Sequence, residues 1–155
     1  MARVIKPPAP LLLGTGGVSV FLAGSIEMGV AEDWQRRIEV ALGDLPVVIL
    51  NPRRDQWDAS WVQSINNPQF REQVEWELQA QEQASVIGMY FAPATRAPIT
   101  LLELGLFART GKVVACCPEG FWRKGNVEVV CARYGVPLVS EFAEFELLLR
   151  ERVLG

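Results

Sequence analysis

The chain has 155 residues, half of them hydrophobic and 21% charged, enough for one domain with a substantial core and too few for two ordinary ones. A formal net charge of -3 leaves no basic excess to neutralise a nucleic-acid backbone, and no apolar run approaches the roughly 18 residues that cross a bilayer, so neither polymeric nucleic acid nor a membrane is an expected partner and a cytoplasmic location is expected. Histidine is absent, which removes imidazole triads, imidazole metal ligands and imidazole general acids and leaves proton transfer to carboxylates, Tyr or Lys.

Residues 1–17 carry Pro7, Pro8 and Pro10 and then Gly14, Gly16 and Gly17, a pattern that disfavours regular structure and reads as a flexible N-terminal arm. A single domain is expected over 18–155. There, apolar β-rich runs at 18–23, 47–50, 85–91, 112–117 and 136–139 alternate with helical patterns at 32–42, 70–83, 99–109, 126–134 and 141–154. Strands that are apolar on both sides belong in a sheet covered on both faces, so the series predicts an α/β fold with a doubly wound parallel sheet of five strands. Helical spacing puts Phe70, Val74, Glu77 and Leu78 on one face and Leu102, Leu106 and the neighbouring Phe107 on another, with Glu77 at the margin. The connection 51–69 is long enough to read as a functional loop. Cys116, Cys117 and Cys131 are odd in number and lack CxxC spacing, so they read as reduced packing residues; no metal and no cofactor is expected.

In open parallel sheets ligands bind outside the carboxyl ends of the strands, which directs attention to four strand exits. The first holds Gly24 and Ser25, whose backbone would allow close approach of a phosphate or sugar hydroxyl; a tight turn without ligand explains Gly24 equally well, since GxGxxG and P-loop patterns are missing. The second gathers Asn51, Arg53, Arg54, Asp55, Trp57, Asp58 and Trp61, cationic donors beside aromatic faces suited to a nucleobase, or else a surface loop folded on itself. The third leads from 92–98 to Glu103, and the fourth runs from Pro118 to Phe121.

Glu103 is expected on the opening turn of its helix. A carboxylate there can be aimed into a cleft, or can close a capping box with Thr100. Glu77 lies on the helix before the same strand, and paired carboxylates are the minimum equipment for glycosyl transfer.

Taken together, Phe21-Leu-Ala-Gly-Ser-Ile26, the acid on the helix before the third strand and Leu101-Leu-Glu-Leu-Gly105 resemble the nucleoside 2-deoxyribosyltransferase superfamily over about 18–137. The resemblance implies a flavodoxin-like sheet in the order 2-1-3-4-5 and cleavage of an N-glycosidic bond in a small nucleoside or nucleotide. It implies that Glu103 is the nucleophile at C1′ of a 2′-deoxyribosyl group, that Glu77 stands where relatives have an aspartate on the sugar, and that Gly24 and Ser25 line the sugar or phosphate site. It also implies a homo-oligomer with shared active sites, with Asn126 as the residue a neighbour supplies. Arg53, Arg54, Arg96 and Arg123 are candidate phosphate partners.

Two departures stand out. Ala97 occupies the place of an acid or Ser about six residues before the nucleophile, with no carboxylate from 92 to 102, which leaves protonation of the departing base to Glu27, Asp55 or Glu119 on other loops. Phe21 stands where relatives often carry Tyr, whose hydroxyl could orient the nucleophile. The competing reading is a non-catalytic nucleotide-binding module with the same fold; attack on the ribosidic bond of NAD-like molecules is a third.

Overall fold

The computed structural model describes residues 1–26, 32–54 and 60–155. Strands such as Val47–Leu50 and Val113–Cys116 are apolar on both sides, so neither face of their sheet can be left to water. In chain order the elements are β1 (Arg3–Ile5), β2 (Val18–Gly24), α1 (Trp34–Ala41), β3 (Val47–Leu50), α2 (Pro68–Gln83), β4 (Val86–Tyr90), α3 (Pro98–Phe107, continued by a 3-10 turn at Ala108–Thr110), β5 (Val113–Cys116), α4 (Lys124–Tyr134), β6 (Leu138–Val139) and α5 (Phe142–Leu154). Every strand pair is parallel. One core packs Trp76 and Ala80 of α2, Leu104 and Phe107 of α3 and Val127 and Cys131 of α4 against the sheet. The other packs Trp34 and Ile38 of α1 and Phe145 and Leu149 of α5 against the opposite face.

The sheet has six strands in the order β1-β3-β2-β4-β5-β6, not five in the order 2-1-3-4-5. The difference lies at the N-terminus, where residues read as part of a loose arm add an edge strand to β3, with Ile5 opposite Leu50. Proline and glycine nearby hid this short strand. It is held by more than its ladder: Asn51 N donates to the Ile5 carbonyl at 3.0 Å, Trp76 Nε1 to the Ala9 carbonyl at 2.9 Å and Arg3 to the Leu12 carbonyl at 2.6 Å. Leu11 and Leu13 pack on the core beside them.

The chain leaves β2 for β3 on one side and returns to β4 on the other, so the crevice of strand reversal opens at the carboxyl ends of β2, β3 and β4. Two helix faces differ from expectation. On α2 the buried side chains are Gln73, Trp76, Ala80 and Gln81, while Phe70, Val74 and Leu78 are half-buried. On α3 they are Thr100, Glu103, Leu104 and Phe107, while Leu102 and Leu106 are exposed. A helix apolar nearly all round carries no periodic signal to select its inner face.

If β1 is integral, Ile5→Ala lowers stability by about 2–4 kcal/mol, read as a reduced urea midpoint with an unchanged slope. A midpoint equal to that of the parent protein would show the strand to be dispensable.

Candidate active site

Helix α3 is capped by Ala97, whose backbone is left-handed at φ 45° and ψ 52°, with no side-chain cap bond. The conformation is uncommon outside glycine and Asn, and it turns the chain sharply from the β4 exit into Pro98. Thr100 therefore lies inside the helix, and the capping box with Glu103 does not form. Glu103 falls in the second turn rather than the opening one and points inward, only 6% exposed.

Glu103 is met by α2, where Gln73, Glu77 and Gln81 recur at a spacing of four residues and so stack along one side of the helix. Gln81 is fully buried, and its Nε2 donates to Glu103 Oε2 at 2.6 Å and to the Glu77 main-chain carbonyl at 3.2 Å. Gln73 Nε2 donates to Glu77 Oε2 at 3.1 Å and to the Pro52 carbonyl at 3.0 Å, tying the β3 exit to the same cluster.

Taking a carboxyl out of water disfavours its charged form. Burial pushes Glu77 up to about 8, with the neighbouring Glu103 charge adding to the rise and the Gln73 bond opposing it. Burial likewise pushes Glu103 up to about 7 against the lowering effect of the Gln81 bond. Both carboxyls therefore hold their protons more tightly than free glutamates, Glu77 the more so.

Gly24 ends β2 at this crevice, but a Cβ there would come within 2.4 Å of the buried Trp34 indole, so close packing by itself requires glycine. Ser25 beside it is buried. Asn51 is 1% exposed and both ends of its amide are engaged, Nδ2 donating to Glu39 at 3.0 Å and Oδ1 accepting from Arg53 N at 2.9 Å. It fixes the backbone at Arg53 and faces no open space. Arg53 reaches Gln35 at 3.3 Å and Asp33 at 3.3 Å. Arg54 pairs with Glu72 at 2.8 Å and lies over the Trp61 ring at 5.1 Å.

Trp57, Asp55 and Glu27 lie outside the described residues. Glu119 is exposed and pairs with Lys124 at 3.4 Å. Asn126 is not brought to Glu103; it lines a separate surface hollow of about 540 Å³ between α3 and α4, with Leu101, Gly105, Trp122 and Val130. The structure thus gathers Glu103 and Glu77 and sets Asn126 apart. Sequence reasoning missed Gln73 and Gln81, whose four-residue spacing around Glu77 was the available signal. Among the described residues no group of three or more His, Cys, Asp or Glu side chains is placed to hold a metal ion.

The raised carboxyls link stability to pH. A glutamate whose folded value lies above its unfolded value holds its proton more tightly when folded, so stability falls as pH climbs from the unfolded value toward the folded one. Between pH 5 and 8 the melting temperature should fall, and Glu77→Gln should flatten that slope and stabilise the protein at pH 8 by about 1–3 kcal/mol. An unchanged slope in the variant would deny Glu77 this role.

A crystal structure described as that of a conserved protein from Enterococcus faecalis V583 is similar to this fold, with a TM-score of 0.60 and 11% identity over 88% of this chain and 99% of that one. A search among curated proteins gave no match. No helix among the described residues is long and apolar enough to cross a membrane. A family model described as nucleoside 2-deoxyribosyltransferase like matches residues 17–121, a span that includes Gly24, Glu77 and Glu103 and stops short of Asn126. More than half of the sequence lies within that match, and the chain belongs to the nucleoside 2-deoxyribosyltransferase-like family.

Proposed function

We propose that the protein cleaves or transfers the N-glycosidic bond of a small deoxynucleoside or nucleotide, with Glu103 as nucleophile and Glu77 as the proton-bearing partner. The observation that carries this reading is the pair itself: buried Glu103 and half-buried Glu77 on facing helices, both raised toward neutral pH, so that one can be ionised while the other holds its proton. Such a pair meets the needs of a retaining double displacement, in which one carboxylate attacks while an acid serves the leaving group.

The ionised Glu103 attacks C1′, the C–N bond breaks, and its electron pair departs with the base, which takes the Glu77 proton. A glycosyl ester on Glu103 results. A second base or water then attacks C1′, the ester oxygen leaves to restore the Glu103 carboxylate, and Glu77 recovers a proton from the incoming group. Configuration is retained after two inversions.

Glu77 thereby fills the gap left by Ala97. Gly24, Ser25 and Trp57 are the proposed contacts to substrate, with Asn51 acting by fixing the backbone of Arg53. Arg53 and Arg54, whose acidic partners Asp33 and Glu72 are half or more exposed, are the proposed phosphate donors.

The same reading includes a homo-oligomer with shared sites. It is supported by the outer face of α3, where Ile99, Leu102 and Leu106 are 59%, 60% and 53% exposed. Gly105 on that helix would meet nothing within 4 Å if given a Cβ, so packing within the chain does not explain it. A second copy covering this face would bring Asn126 into an interface. Leu102→Glu should then convert the assembly to monomers in sedimentation velocity and depress activity; an unaltered sedimentation coefficient would remove this face from consideration.

The catalytic test is base release from a panel of 2′-deoxynucleosides and their 5′-monophosphates. The rate should follow a narrow bell between about pH 7 and 8, set by ionisation of Glu103 and loss of the Glu77 proton. Glu77→Gln should cost about 10²–10⁴-fold and remove the alkaline limb. Glu103→Gln should abolish turnover together with the sugar adduct that mass spectrometry detects on the parent protein. Binding without product across the panel, retained in Glu103→Gln, would establish the non-catalytic nucleotide-binding module instead.

A further inference from the structure

Gln81 stands out among the buried polar groups because its amide links α2 to Glu103 and its orientation is fixed by a group with only one hydrogen-bonding character. The Glu77 main-chain carbonyl can accept but cannot donate. The amide end turned toward it at 3.2 Å must therefore be Nε2, and the same nitrogen reaches Glu103 Oε2 at 2.6 Å. Turning the amide over would set two carbonyl oxygens against each other. The other end, Oε1, is buried and has no hydrogen-bond partner among the described residues, so the bonds of this amide lie on its donor side.

Phe21 on β2 is fully buried and offers no hydroxyl to a carboxylate. No bond among the described residues engages Glu103 Oε1.

We propose that Gln81 is the positioning residue of this site: its locked amide pins Glu103 Oε2, holds the carboxylate in its charged form and leaves Oε1 as the attacking oxygen. The inference rests on the nucleophilic role of Glu103. Because the donor cannot rotate into an acceptor, Gln81 favours the ionised carboxylate over the neutral acid. The direction of the Gln81 effect on Glu103 agrees, since that bond lowers a value otherwise raised by burial.

The titratable neighbour of Glu103 is Glu77 on α2. Helix α3 also packs on β2 and β4. Those strands are apolar apart from Ser19, which bonds Ser85 at the far end of β2, and Tyr90, whose ring meets Trp34 at a tilt, 5.3 Å between centroids, on the other face of the sheet.

The test is Gln81→Met, of similar length and without a donor, with the carboxyl resonances of Glu77 and Glu103 followed against pH by carbon NMR and assigned through Glu77→Gln and Glu103→Gln. The Glu103 midpoint should rise by about one unit, with a smaller change at Glu77. In base release, kcat should drop about tenfold or more at pH 7 with little change in KM, and the acid limb should move with the NMR midpoint. Gln81→Asn, whose amide is one methylene short, reads the same contact if the methionine variant does not fold.

A folded variant whose Glu103 midpoint stays in place overturns the assignment. The NMR titration needs no substrate, so a protein that releases no base would refute the proposed reaction while the role of Gln81 was still decided.

Discussion

Two carboxyl groups withdrawn from water side by side cannot both be charged without heavy cost, and this constraint organises the interior around α2 and α3. Glu103 occupies the inner face of a helix whose leucines at 102 and 106 face outward, the reverse of what burial of apolar surface would favour. A fold selected for stability alone would place apolar side chains where Gln73, Glu77, Gln81 and Glu103 meet. Instead the two glutamine donors face the two carboxylates, and neither glutamine oxygen has a partner among the described residues.

The scaffold brings this cluster to the crevice by simple means. Parallel strands point their carboxyl ends the same way, and the reversal of strand order at β2 opens a gap there. Left-handed Ala97 turns the chain abruptly into α3, so that the second turn of the helix, not the first, carries the carboxylate. Gln73 joins the β3 exit to α2 through the Pro52 carbonyl, and Asn51 fixes the turn through Pro52 by accepting from Arg53 N. The β3 exit is thereby coupled to the acids through the Gln73 amide, and the β4 exit through the turn at Ala97.

Much of this was legible in the sequence, because strands apolar on both sides and the alternation of strand and helix leave few alternatives to a doubly wound sheet. What escaped notice has identifiable causes. A three-residue strand followed closely by Pro7 and Pro8 lies below the length at which alternation can be detected. The inner faces of α2 and α3 were misplaced because α3 is apolar nearly all round and because α2 buries two glutamines, a residue type that ordinarily signals solvent. Gly24 invited a ligand explanation, whereas the Trp34 indole accounts for it at 2.4 Å, a contact that no local pattern encodes. Glu103 and Glu77 were recognisable as a pair from the family motif, but the amides that hold them had only their spacing to declare them.

The N-terminal strand carries a consequence for behaviour in concentrated solution. β1 is only three residues long and shields the outer side of β3, a run of Val-Val-Ile-Leu with strong extended propensity. Were it lost to proteolysis, β3 would present a fresh row of amides and carbonyls beside an aliphatic tetrapeptide, the combination that recruits strands from other molecules. This small segment thus covers an edge that would otherwise invite fibril-like self-association, and it does so beside the β3 exit, where Asn51 N holds the Ile5 carbonyl.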